Sequence, residues 1–288
     1  MKDRSGMKAR SASRELGGIK YLKTYVGMIL AVFMVFPLYV VLIGGFKTKG
    51  QVISNPFGLP NPWLLDAYRL LLGKTDQYWS FLYNSVVIAA ATIFLVVMIA
   101  MMASVALTRI PFKGRTLLYN YFVMGMLFPL AVAVLPLYLL LRDLGLTGDR
   151  FGVVLSQAAF SLPMSIFIFA GFFRDVPAEL QDACSIDGGG IFTFFLKIIV
   201  PISTPVIATV SIITFIGSWN SFLLPLLIIG DSTKFPLPLG IMQFQGQFST
   251  GYHQVMAFMT LSILPMAIFY FAMQKYIVSG LTAGAVKG

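Results

Sequence analysis

Apolar runs alternate with polar breaks along the 288-residue chain in a way that resolves six long hydrophobic stretches. They run approximately from Tyr25 to Phe46, Tyr83 to Thr108, Leu117 to Leu141, Phe151 to Phe173, Pro201 to Ile229 and Val255 to Val278. Roughly 20 apolar residues in helical form cross a hydrocarbon core of about 30 Å, and each stretch meets that length. The pattern predicts an all-α chain of six transmembrane helices. A basic segment over 1–24 precedes a membrane domain over 25–278, and a tail over 279–288 follows it.

Composition agrees with this division. With 58% hydrophobic and 11% charged residues, the chain lies outside the usual balance of a soluble domain. A net charge of +10 would suggest nucleic acid in a soluble protein, but here the basic residues lie in the breaks and the leader, so the implied partner is a membrane surface. Six spans put both ends on one side. That side holds 14 Lys and Arg, including Lys2, Arg4, Lys8, Arg109 and Arg174, and the opposite side holds 7. Basic residues favour cytoplasmic loops, so both termini are expected in the cytoplasm. The first stretch is longer than a signal-peptide core and ends in Phe46 and Lys47 rather than small residues, so a retained anchor is expected.

This orientation leaves external loops over 47–82 and 230–254 and a cytoplasmic loop over 174–200. In the first, Trp63, Ala67, Leu70 and Leu71 at helical spacing predict a short interfacial helix, with Trp63 and Tyr68 as surface anchors. A single cysteine, Cys184, excludes an internal disulfide, and a single histidine, His253, leaves no metal-binding cluster to expect.

The spans contain no Asp, Glu or Arg, and their one Lys is Lys275 near the end of the last. Ion-coupled transporters usually place ionisable groups inside the membrane, so an uncharged path points to a neutral, hydroxyl-rich solute. Neutral polar groups that could face such a path are Asn84, Ser85, Asn120, Ser211, Thr214, Ser218, Asn220 and Ser221, although side chains of this kind also serve as helix-to-helix hydrogen bonds. Prolines 129, 136, 163, 225 and 265 each remove a backbone donor and are expected to kink or open a span.

The loop over 174–200 is more than a connector. Pro177 suits a first helical turn, and Glu179 follows where exposed amides favour negative charge, so a helix is predicted to run to Ile186. Asp187 and the glycines at 188, 189 and 190 end it. A second short helix carrying Phe194, Phe195, Ile198 and Ile199 then leads to Pro201. The result is a helix-turn-helix lying along the membrane surface.

These residues resemble the membrane subunits of binding-protein-dependent ABC importers. The shared loop of that family has an acidic residue, two small residues, a spacer, a glycine and a hydrophobic helix ending near proline, matched here by Asp182, Ala183, Cys184, Gly188 and Pro201. Cys184 stands where alanine is usual, and Gly189 replaces the small residue after the glycine. The segments 219–229, 236–252 and 274–288 are similar to the carbohydrate branch, of the type of the smaller permease of the maltose system.

The resemblance implies a type I ABC importer permease. Glu179, Asp182, Ala183, Cys184, Asp187 and Gly188 would seat in a cleft of a cytoplasmic ATPase, and Asn84, Ser218, Trp219, Asn220, Gln243 and Gln245 are candidates for the substrate path. It implies as partners a second homologous permease, two ATPase subunits binding ATP and Mg²⁺, an extracytoplasmic solute-binding protein and a carbohydrate. The expected location is a bacterial or archaeal plasma membrane. The chain has no phosphate-cradling G-x-x-x-x-G-K-[ST] loop, so hydrolysis of ATP is expected on the partners and this subunit is expected to be non-catalytic. An acidic sugar polymer or a glycerol phosphodiester remains an alternative substrate, and an ion-coupled secondary transporter an alternative class.

Overall fold

The computed structural model describes the backbone of residues 4–74, 77–244 and 251–285, and the side chains of 23–73, 77–243 and 251–273. All regular elements among them are helical. In lipid a helix satisfies its own backbone groups, which is why long apolar runs fold this way. Contacts divide the chain into two units, residues 1–70 with 250–260, and residues 71–249 with 261–288.

The first unit holds α1 (Arg4–Gly44), α2 (Lys49–Ser54), α3 (Asp66–Arg69) and the opening turns of α14 (Tyr252–Ala285). Gly44 and Gly45 lie against Met256 and Ala257, where a Cβ on either would collide. Small residues of this kind let helix backbones approach closely in membranes. Thr48 and Gln51 form a reciprocal capping box at the start of α2. Lys47 is 2% exposed and donates to the carbonyls of Asn55 and Pro56 at 2.8 and 2.9 Å. The expected helix is present as α3, continued by a π-helical stretch over Leu70–Lys74. Trp63 is exposed, but Tyr68 is not an anchor: it is buried, with its ring 4.8 Å from that of Phe46. Its spacing on a short helix points it into the unit, not toward a surface.

The second unit contains α4 (Gln77–Arg109), α5 (Arg115–Met124), α6 (Leu130–Asp143), α7 (Arg150–Asp175), α8 (Glu179–Ile186), α9 (Ile191–Phe194), α10 (Val200–Ile202), α11 (Thr204–Trp219), α12 (Leu223–Ile228), α13 (Leu237–Gly240) and the rest of α14. The pairing of α4 with α7 is its spine, and α11 packs on α4 and α7. Val96, Ala100, Ile166, Phe169, Phe173 and Ile199 are wholly buried there.

Among the described residues, four helices are long and apolar enough to cross a membrane unbroken: Lys23–Gly44 of α1, α4, α7 and Tyr252–Met273 of α14. The third and fifth stretches are not straight spans. Arg115–Leu127 meets Leu130–Asp143 at 105°, and Ile191–Ile202 meets Thr204–Trp219 at 75°. At the first bend Pro129 lacks an N–H and holds Phe128 in an extended conformation, as a residue before proline prefers. At the second, Pro205 opens α11, and the Ser203 hydroxyl donates back to the Ile199 carbonyl at 2.5 Å. Pro136, Pro163 and Pro265 lie inside unbroken helices, so a proline alone does not decide where a span opens.

Candidate coupling surface and membrane path

The loop between α7 and α11 folds as a helix-turn-helix because its stop signals are complete. Helix α8 ends at Ile186, and Gly188 takes the left-handed conformation with φ +78°. The Gly188 N–H donates to the Ser185 carbonyl at 3.1 Å and the Gly189 N–H to the Cys184 carbonyl at 2.8 Å. These two bonds make a Schellman turn, which satisfies carbonyls that a helix end leaves open. Glu179 and Asp182 occupy the first turn, where the helix dipole favours them.

Of the six residues assigned to coupling, Glu179, Asp182, Ala183, Asp187 and Gly188 are exposed and share the outer side of this unit. Cys184 departs from that assignment. It is 7% exposed and sits in the buried cluster with Phe173, Val176, Phe194 and Phe195. An eight-residue amphipathic helix must turn one side inward, and Cys184 is on it. A Cβ on Gly189 would lie 2.6 Å from the Cys184 Sγ, so the space beneath the turn is already filled by sulfur. The outer side also presents Ile186 and Phe192, which are 86% and 73% exposed.

The base of the loop is held by cations. The Arg109 guanidinium, at the end of α4, donates to the carbonyls of Phe173 and Val176, where α7 runs out of helical partners. Arg174 lies over the Tyr119 ring at 4.5 Å.

The residues proposed to line a path are not brought together. Asn84 is fully buried, and its Nδ2 donates to the carbonyls of Thr233 and Phe235 at 2.9 Å each. It fastens a loop and does not face a channel. Trp219 is buried, stacked on Phe215 at 5.2 Å, with its indole N–H toward the Ser262 carbonyl. Asn220 is exposed and donates to Ile216 one turn back. Gln243 is exposed at its own site, and Gln245 lies outside the described residues.

Ser218 does meet other polar groups. Its hydroxyl donates to the Gln157 Oε1 at 2.6 Å, and the Thr92 hydroxyl reaches the same oxygen at 3.2 Å. One hydrogen-bonded node thus joins α4, α7 and α11. The Gln157 Nε2 and, one turn from Ser218, the Thr214 hydroxyl are buried without partners. Beside the bend between α5 and α6 lies an apolar recess of about 440 Å³, lined by Tyr121, Phe122, Phe128, Phe160 and Pro163. None of the proposed path residues borders it.

Loop 230–244 is stapled at its other side as well. The Lys234 ammonium donates to the Gly148 carbonyl at 3.0 Å and pairs with Asp149 at 3.3 Å. Asp149 caps α7 by accepting the Phe151 N–H at 2.9 Å. That bond foremost, with Lys234 close by, holds the Asp149 carboxyl below the usual carboxylate range. Burial pushes the Lys47 ammonium down.

Sequence reasoning missed Gln157, Thr92 and the fastening roles of Arg109, Lys47 and Lys234. Gln157 is a lone amide in an apolar run, a signal of interhelical bonding that could have marked it. The basic residues were counted only for their side of the membrane.

The family described as the binding-protein-dependent transport system inner membrane component matches residues 96–283. A putative ABC transporter permease protein from a Caldicellulosiruptor strain is 35% identical, over 94% of this chain and 99% of its own. The permease protein of a diacetylchitobiose uptake system from Streptomyces coelicolor is 30% identical, over 97% of this chain and 92% of its own. Among solved structures, a chain of a bacterial ABC transporter involved in the import of the acidic polysaccharide alginate superposes with a TM-score of 0.81 at 21% identity. That alignment covers 92% of this chain and 97% of the other, a likeness of fold. With a helix-turn-helix built into a bundle of membrane-crossing helices, the chain belongs to the inner-membrane permease components of binding-protein-dependent ABC transporters.

Proposed function

We propose that this chain is a permease subunit of an ATP-driven carbohydrate importer. It forms half of the translocation path beside a second, homologous permease. Two cytoplasmic ATPase subunits bind ATP and Mg²⁺ and supply the energy, and an extracytoplasmic binding protein supplies the solute. The chain itself catalyses no reaction. It lies in the plasma membrane of a prokaryote with both termini in the cytoplasm, and the excess of basic residues on that side supports the orientation.

The observation that carries the reading is the two-sided construction of loop 174–200. Its inner side is locked into the core by Cys184, Phe194 and Phe195, while Glu179, Asp182, Ala183, Asp187 and Gly188 are presented outward. Such a piece moves as one body with the helices it is fixed to. Closure of the ATPase subunits around it would favour one global state of the bundle, which is what coupling two sites requires.

A neutral, hydroxyl-rich solute suits the spans, which carry no carboxylate, and is in keeping with the diacetylchitobiose system of the Streptomyces relative. Of the external cations, Lys47 and Lys234 give little support to an acidic solute, because they are engaged with carbonyls and Asp149.

Gly188→Pro and Asp182→Arg test the coupling role. Proline fixes φ near −65° and cannot adopt the φ of +78° held by Gly188. Uptake and solute-stimulated ATP hydrolysis are expected to fall while membrane insertion persists. Normal uptake in both variants would remove the assignment.

A further inference from the structure

Helix α4 is fastened at one end to loop 230–244 and at the other to the junction where α7 gives way to the coupling loop. It spans 33 residues, about 50 Å at roughly 1.5 Å per residue. Near its first turns, Ser80 and Asn84 donate to the Thr233 carbonyl at 2.9 Å, Asn84 donates also to Phe235, and Ser85 accepts the Leu237 N–H at 2.8 Å. At its last residue, Arg109 holds the carbonyls of Phe173 and Val176, from which α8 departs.

Both fittings have the same form. A side chain of α4 directs its donors at two backbone carbonyls, at one end those of Thr233 and Phe235 in loop 230–244 and at the other those of Phe173 in the last turn of α7 and Val176 just after it, and so fixes the path of the chain rather than one neighbouring side chain. Both leave a buried atom unpaired, the Asn84 Oδ1 and the Arg109 Nε. Buried polar groups normally find partners, so neither residue is explained by local satisfaction alone. Between the fittings, Ile88, Val96, Ala100 and Ser104 are 2% exposed or less, so the helix is gripped along its length.

We propose that α4 is a strut through the membrane, and that Asn84 and Arg109 are positioning residues that transmit displacement of the coupling loop to loop 230–244. The proposal rests on the permease reading above. Neither residue touches solute. Each sets where a loop stands when another part of the complex engages it.

The test uses the assembled transporter in lipid nanodiscs, with the second permease, the ATPase subunits and the binding protein encoded with them. ATP hydrolysis is measured with and without the binding protein for wild type, Arg109→Gln, Asn84→Leu and the double variant. Each single variant is expected to keep basal hydrolysis within about twofold and to lose roughly tenfold of the binding-protein stimulation, within the usual range of coupling between sites. Independent sites this far apart add in free energy, whereas two fittings on one strut act in series. The double variant should therefore be no worse than the poorer single.

A wild-type complex indifferent to its binding protein removes the permease reading itself. A responsive wild type with equally responsive variants removes only the strut. Losses that multiply in the double variant also overturn it, since they mark two local packing defects. Should Arg109→Gln fail to assemble on size-exclusion chromatography, Arg109→Lys replaces it in the same cycle and is judged by the same rule.

Discussion

At Cys184 and Gly189 two departures from the family pattern explain each other. The sulfur occupies the space that a methyl group at 189 would need, with the Cys184 carbonyl 2.9 Å from the same point. Gly189→Ala is therefore expected to destabilise the purified subunit by about 1–3 kcal/mol, the usual cost of overpacking. Adding Cys184→Ala should recover part of this loss and not all, because the carbonyl contact stays. Thermal unfolding of the two single variants and the double forms the cycle, and strictly additive changes would falsify the pairing. At this scale the sequence was legible where backbone conformation decides, as in the stop at Gly188. It was silent on which side of α8 faces inward, because eight residues carry barely two turns of pattern.

Among the elements, the start of α7 ties local capping to loop placement. Asp149 caps the helix and holds Lys234, and its carboxyl titrates below its ordinary value. A depressed folded value means that the ionised form stabilises the fold above the unfolded pKa of about 3.9 and that this contribution is lost as pH falls through the folded value. Asp149→Asn keeps a side-chain acceptor but loses the charge. It should unfold more easily than wild type at pH 7, by up to about 1 kcal/mol, and the gap should close on acidification below about pH 4. A gap that stays constant through that range would assign the stabilisation to shape alone. The six apolar stretches were legible because burial in lipid demands length. The opening at Pro129 was among those expected from the prolines, but hydropathy did not single it out from the others. The bend at Ser203 was not expected, because hydropathy counts residues and takes no account of which backbone bonds a neighbouring helix can replace. Pro129 opens its span, while Pro136 and Pro163 sit within continuous helices.

For the molecule as a whole, the proposed orientation has a direct chemical test. With Cys184 replaced by alanine, a cysteine introduced at Leu59 or at Ile186 gives a single thiol, and both positions are exposed, at 62% and 86%. A membrane-impermeant maleimide added to intact cells stripped of any outer barrier should label the Leu59→Cys chain. It should reach the Ile186→Cys chain only after the membrane is opened, and the reverse pattern would invert the topology. The family was legible from one constellation of small and acidic residues. The path was not, because in a bundle the same Asn or Ser serves equally well as a fastener, and only packing distinguishes the two uses, as Asn84 and Ser218 illustrate.

The 105° bend between α5 and α6 also sets a demand on assembly. Each arm is about 20 Å long, too short to span the hydrocarbon, and the backbone opened at Phe128 and Pro129 cannot be left facing lipid. Residues 124–129 are exposed in the chain by itself, and α7 touches the bend only near Gly125, where a Cβ would lie 3.0 Å from the Pro163 ring. The opened backbone therefore needs a cover from outside this chain, and a subunit alone in the bilayer is expected to carry a weak point there that assembly closes.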